Sequence, residues 1–179
     1  AIQAAARHFP LPVIHNGDAV LQSEFLEGAH AIVERDGYRI GVYKNANIDH
    51  LPTINFHGLT LRHRLPSIKE VHLRNWRVKV DIVDAPELTL VLPARKEIYR
   101  NAALDTLLSL CEAAIFDAIR AEHFHRLKYE DWCAACRHFP DFPEAVNELS
   151  RWVRICADDS CRDAPEYGSI AASAASAQE

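Results

Sequence analysis

The chain of 179 residues contains no methionine and only 6 glycines, none of them spaced as G-x-G. A triphosphate cradle needs a glycine-rich turn whose backbone amides can close around the phosphates, so this chain cannot hold a nucleoside triphosphate by itself. No run of about 18 apolar residues occurs, and the start lacks a basic segment followed by an apolar one and a small-residue cleavage site. Nothing in the sequence directs it into or across a membrane. There is no H-E-x-x-H pair for a zinc hydrolase and no G-x-S-x-G elbow for a serine hydrolase, and Ser67, Ser109 and Ser160 have no local activating context. The opening Ala1 to Arg7 reads as the end of a helix already under way, so the chain is expected to be a piece of a longer polypeptide.

What is present points to one globular domain with additions: 49% hydrophobic and 25% charged residues, with a formal net charge of -5. Five cysteines, an odd number, fit reduced thiols in a cytoplasmic setting better than a disulfide framework. The negative balance argues against an overall nucleic-acid footprint. The distribution is uneven, however. From Arg62 to Lys79 the cations Arg62, Arg64, Lys69, Arg74, Arg77 and Lys79 face the single acid Glu70. With Trp76 among them, this stretch reads either as a nucleic-acid surface or as the solvated face of a strand.

The first half has the period of β structure. Asn16-Gly17 separates Leu11 to His15 from Asp18 to Leu21, and Asp36-Gly37 separates Ala29 to Glu34 from Tyr38 to Lys44; both dipeptides supply the positive φ angles that two-residue hairpins require. In the second hairpin Tyr38, Ile40 and Val42 share one face and Arg39 and Tyr43 the other. A strand from Thr53 to His63 changes phase at Gly58, which suggests a bulge. Strands at Trp76 to Val83 and Leu88 to Leu92 follow, joined by Asp84-Ala85-Pro86-Glu87. At Asn101 the period becomes helical, and Leu104, Leu107, Leu108, Cys111, Ile115 and Ile119 form a stripe behind an asparagine N-cap. A shorter helix around Tyr129 to Cys136 stops near Phe139-Pro140, and a last one is expected over about 143–153. Residues 169–179 read as a disordered or weakly helical tail.

Three groups of residues carry possible chemistry. In Leu92-Pro93-Ala94-Arg95-Lys96-Glu97-Ile98 two cations sit on a strand-to-helix connection, where Arg95 can grip a phosphate with two donors and Lys96 can act as a point charge. Charges kept only for solubility are the competing reading. Cys133-Ala134-Ala135-Cys136, with Cys156 and Cys161 downstream, offers four thiols for zinc, a redox pair, or small core residues, because Tyr129, Trp132, Cys133 and Cys136 fall on one helical face. The ten histidines, including His57, His63, His72 and the pair His123 and His125, show no ligand spacing and read as surface or capping groups.

Val-Lys-Val-Asp-Ile-Val-Asp at 78–84 followed by Leu-Pro-Ala-Arg-Lys-Glu-Ile at 92–98 resembles the end of the transducer domain in GHKL ATPases, the class of gyrase B, heat-shock chaperones and MutL. His8-Phe9-Pro10-Leu11-Pro12-Val13 with Asn16-Gly17, and Phe25-Leu26-Glu27-Gly28-Ala29, resemble the entry into that domain in bacterial chaperone-like members. The likeness spans about residues 8–152. It implies that a loop cation, Arg95 or its neighbour Lys96, touches the γ-phosphate of ATP in a preceding domain, which would hold ATP and Mg²⁺; this chain would hold no cofactor. Arginine stands where the family has lysine, so the geometry need not carry over. Implied partners are the ATP-binding domain of the same polypeptide, a second copy in a homodimer, and a protein client or nucleic acid.

The expected fold is α+β: a mixed, mostly antiparallel sheet backed by the long amphipathic helix, the ribosomal-protein-type transducer fold, with a small C-terminal helical extension. The expected divisions are a transducer-like domain at 1–121, the extension at 122–156 and an acidic, then Ala/Ser-rich tail at 157–179. The expected function is a non-catalytic relay of nucleotide state. A zinc-stabilised or nucleic-acid-binding module, using Cys133 and Cys136 or the basic strand at 62–79, is the alternative.

Overall fold

In the computed structural model the described residues are 6–48, 51–71, 74–91, 97–122, 124–143, 152–153 and 170–171. They form an α+β fold with a mixed sheet and two helices. Two short strands, β1 (Ile14–His15) and β2 (Asp18–Ala19), make a small hairpin. The main sheet contains β3 (Ala31–Arg35), β4 (Tyr38–Lys44), β5 (Ile54–Phe56), β6 (Leu59–Leu61), β7 (Ser67–Lys69) and β8 (Asn75–Ile82). Its order is β3-β4-β8-β5-β6, with β7 pairing β8 off this path; only β5 against β8 is parallel. The helices are α1 (Ala102–Arg120) and α2 (Tyr129–His138). The chain divides into two compact units, one of residues 1–67 and 76–114, the other of residues 68–75 and 115–179.

In the first unit the hairpin dipeptides behave as their chemistry requires. Asn16 and Gly17 take φ 53° and 91°, and Asp36 and Gly37 take φ 51° and 80°, so both turns twist with their strands. A side chain at Gly37 is excluded for a second reason, since a Cβ there would lie 1.7 Å from the Asp84 carbonyl oxygen. The expected bulge at Gly58 is instead a full reversal. His57 and Gly58 take φ 49° and 93°, and the chain folds back so that Ile54 pairs with Leu61 and Phe56 with Leu59. A histidine in the left-handed region is uncommon; here the Gly58 N–H donates to Asn55 Oδ1 at 3.0 Å and holds the turn.

The alternation in β4 and β8 places Tyr38, Ile40 and Val42 opposite Ile82, Val80 and Val78, all buried. Leu104, Leu107 and Cys111 of α1 are buried as well, and burial, followed by the charges of Glu87 and Asp36, raises the Tyr38 pKa. The other face of β4 was expected to meet solvent, yet Gly41 and Tyr43 are buried too. Phe25 and Leu26 cover it: a Cβ on Gly41 would come within 3.1 Å of Leu26. Lys79, on the same face, is drawn inward. Its ammonium donates to the Phe25 carbonyl at 2.5 Å and lies 4.0 Å from the Phe25 ring centre. Burial, with help from the Arg7 charge, lowers its pKa. The same burial pushes the Tyr43 phenol up to about 12.

The second unit is organised around a buried carboxylate. Glu70 accepts the Arg126 N–H at 2.7 Å, and Arg74 lies 3.8 Å from Glu70 and 3.3 Å from Glu122 while donating to the Phe124 carbonyl at 3.0 Å. His125, expected at the surface, is 1% exposed; its Nε2 is 2.8 Å from the Pro143 carbonyl and its ring lies tilted against Phe142, the ring centres 5.3 Å apart. The apolar face of α2 is rotated from the expected one. Ala134 and Ala135 are buried, whereas Cys133 and Cys136 are half-buried and Tyr129 is exposed. Where a third helix was expected, Trp152–Val153 pairs antiparallel with Ile170–Ala171, the latter within the expected tail; residues 144–151 lie outside the described residues.

Candidate functional site

The strand expected at Leu88 to Leu92 is reduced to a bridge, and the bridge shapes the candidate site. Leu90 pairs antiparallel with Ile98. The Val91 N–H donates to the Glu97 carbonyl at 2.9 Å and the Tyr99 N–H to the Thr89 carbonyl at 2.8 Å. Leu88 and Ile98 are buried while Val91 and Tyr99 are exposed, so the bridge is anchored from below by apolar side chains. The chain thus leaves at Val91 and re-enters at Glu97 through a closed neck. Residues 92–96, with Arg95 and Lys96, lie outside the described residues.

Below the neck the connection is tied to α1. Asn101 accepts the Leu104 N–H on its Oδ1 at 3.0 Å, the N-cap expected from the sequence, and donates through Nδ2 to the Glu87 carbonyl at 3.0 Å. One side chain therefore fastens the helix start to the turn that follows β8. The Leu88 N–H donates to the Ala85 carbonyl at 3.1 Å and closes that turn.

A second polar constellation was not anticipated. Arg39 and Asp81 are cross-strand neighbours on β4 and β8, and their side chains meet at 3.4 Å. Arg39 also reaches Glu24 at 2.8 Å and Glu34 at 3.1 Å, and these partners outweigh the opposing effect of burial and raise its pKa. The buried Asn55 amide donates to Asp81 at 2.7 Å and to the His8 carbonyl at 3.3 Å. Arg39, Asp81, Glu24, Asn55 and His8 border a cleft of about 540 Å³ together with Gln22 and His57. Most of their polar atoms are spent inside the unit: Gln22 donates to the Phe9 and Leu11 carbonyls at 2.8 and 2.7 Å, and His8 Nδ1 is 2.9 Å from the Ser23 carbonyl. The arrangement ties the segment around residues 7–25 to the sheet. Its signal in the sequence was an acid and an arginine at outward positions of two strands, visible only once their register is known.

The basic stretch does not act as one stripe. Lys79 and Arg74 are 9% exposed and 10% exposed at the side chain, respectively, each committed to the partners above. Among the described residues no group of three or more His, Cys, Asp or Glu side chains is arranged to hold a metal ion. Cys156 and Cys161 lie outside the described residues. No described helix is long and apolar enough to cross a membrane.

Compared with family models, curated proteins and solved structures, the chain gave no match.

Proposed function

We propose that this chain is a relay domain of a larger ATP-binding protein of the GHKL class. In this reading Arg95 and Lys96 meet the terminal phosphate of ATP held by a preceding domain, and that engagement shifts the angle between the domains. The chain performs no hydrolysis alone. Gly17, Gly28, Gly37 and Gly58 have positive φ, and none of the 6 glycines belongs to a G-x-G phosphate loop.

The observation that carries the proposal is the neck. Hydrogen bonds between Val91 and Glu97 and between Thr89 and Tyr99 gather the two ends of a Leu-Pro-Ala-Arg-Lys segment immediately before a capped 19-residue helix. A phosphate contact made by this segment has short, hydrogen-bonded connections to both the sheet and α1. One or two desolvated charge-assisted bonds supply roughly 1.5–3 kcal/mol each, enough to invert a two-state population separated by a few kcal/mol.

The test is ATP turnover by the polypeptide that joins this chain to its ATP-binding domain, measured for wild type and for Arg95→Ala with Lys96→Ala. The double variant is expected to lose turnover while this chain's melting temperature barely moves. Unchanged turnover, a large fall in melting temperature, or a reading frame that encodes no nucleotide-binding domain before Ala1 would each overturn the proposal.

A further inference from the structure

From Leu51 to Lys69 the chain carries no aspartate or glutamate, yet Arg62, Arg64 and Lys69 lie within it. The connection from β6 to β7 is held firmly at its start. Thr53 Oγ1 donates to the His63 carbonyl at 2.7 Å and accepts the His63 N–H at 2.9 Å. Pro66 fixes a further backbone angle just before β7. Beside this connection is a hollow of about 320 Å³, lined among others by Thr53, His63, Arg64, Ser67 and Arg77. Arg64 and Arg77 come from separate segments, the connection and β8. Among the described residues that line the hollow there is no carboxylate.

We propose that this hollow binds a single phosphoryl group, either a small phosphate or one link of a phosphodiester backbone, between the guanidinium groups of Arg64 and Arg77 with the Ser67 hydroxyl as a further donor. Each guanidinium has five N–H donors in a planar fork, so Arg77 can take a phosphate oxygen while keeping other partners. A tetrahedral anion offers enough acceptors for two forks and a hydroxyl at once, which a planar carboxylate does not. Burial lowers the pKa of His63, which disfavours an added positive charge on its ring beside the two guanidinium groups. The net charge of -5 gives no long-range attraction for polyanions. Binding is therefore local, and its salt dependence corresponds to about one neutralised phosphate in place of the many met by a basic groove. The proposed binding draws on neither Arg95 nor Lys96.

The experiment is titration of the ¹⁵N-labelled chain with inorganic phosphate and, separately, with a 12-residue oligodeoxythymidylate, following amide shifts. Saturable shifts centred on Thr53, His63, Ser67 and Arg77 are expected with phosphate, and Arg64→Gln with Arg77→Gln weakens binding at least about tenfold. Arg64→Gln alone, at an exposed position, preserves the site's folding and should give part of that loss. Arg95→Ala with Lys96→Ala binds as wild type does, which separates this site from the relay reading. An oligonucleotide shifting the same amides, competed by phosphate, identifies the backbone as a source; phosphate shifts without oligonucleotide binding identify a small phosphate. Absence of saturable binding to both probes, shifts spread over all surface cations, or affinity unchanged in the double variant would overturn the site.

Discussion

Asn101 offers the sharpest check on how the candidate loop is joined to the rest of the first unit, because its two side-chain atoms do different work. Its Oδ1 caps α1 through the Leu104 N–H, and its Nδ2 holds the Glu87 carbonyl, both at 3.0 Å. Replacement by alanine removes both. Loss of an N-cap costs about 1 kcal/mol, and loss of one exposed hydrogen bond roughly 0.5–1.5 kcal/mol, giving a sum of about 1.5–2.5 kcal/mol. Serine can still cap but cannot reach Glu87, so Asn101→Ser should lose only the second contribution. Urea unfolding followed by circular dichroism would read these values as shifts in midpoint at constant slope. At about 2–4 °C per kcal/mol for a chain of this size, Asn101→Ala should melt roughly 3–10 °C lower. Equal losses for serine and alanine would show that the cap contributes nothing. A loss below about 0.5 kcal/mol for alanine would mean that α1 starts independently of this residue.

Other consequences follow from single positions. Gly37→Ala combines a φ of 80° with a Cβ placed 1.7 Å from the Asp84 carbonyl oxygen, and should cost about 3 kcal/mol or more in chemical unfolding; wild-type stability would refute the turn geometry. His125 has its pKa lowered, first by burial and also by Arg74, against the raising effects of the Pro143 carbonyl and Glu70. Its unfolded value near 6.5 is the higher one, so its contribution to stability is fully present above pH 6.5 and is lost as pH falls through the depressed folded value. Unfolding midpoints measured from pH 7.5 to 5 should therefore fall, and His125→Phe should flatten this part of the profile. Thiol titration in native buffer should leave Cys111 unreacted, since burial raises its pKa to about 12, while the half-buried Cys133 and Cys136 react; modification of Cys111 without unfolding would contradict its packing.

The local elements were legible because their causes are local. Asn16-Gly17 and Asp36-Gly37 demand positive φ angles, Asn101 supplies a cap acceptor, and the stripe through Leu104, Leu107 and Cys111 has a helical period. His57-Gly58 was misread because a phase change of one residue accompanies both a bulge and a reversal. The difference lies in pairing: β5 lies between β8, parallel to it, and β6, antiparallel to it. The bridge of Leu90 with Ile98 is likewise a partner-dependent feature. Arg95 and Lys96 were read from the sequence alone and lie outside the described residues.

Backbone preference and side-chain period, acting over two to four residues, determined where strands turn, where α1 begins and which of its residues are apolar. Tertiary structure alone decided which surfaces are covered. Phe25 and Leu26 close over Gly41 and draw Lys79 inside, although alternation marks that face as outward. Glu70 and Arg74 become an internal pair, and the buried side of α2 passes to its alanines. Coverage depends on segments distant in sequence arriving at the same place. The hydrogen bonds and close approaches that stabilise such arrivals are set by three-dimensional proximity, which no local period encodes.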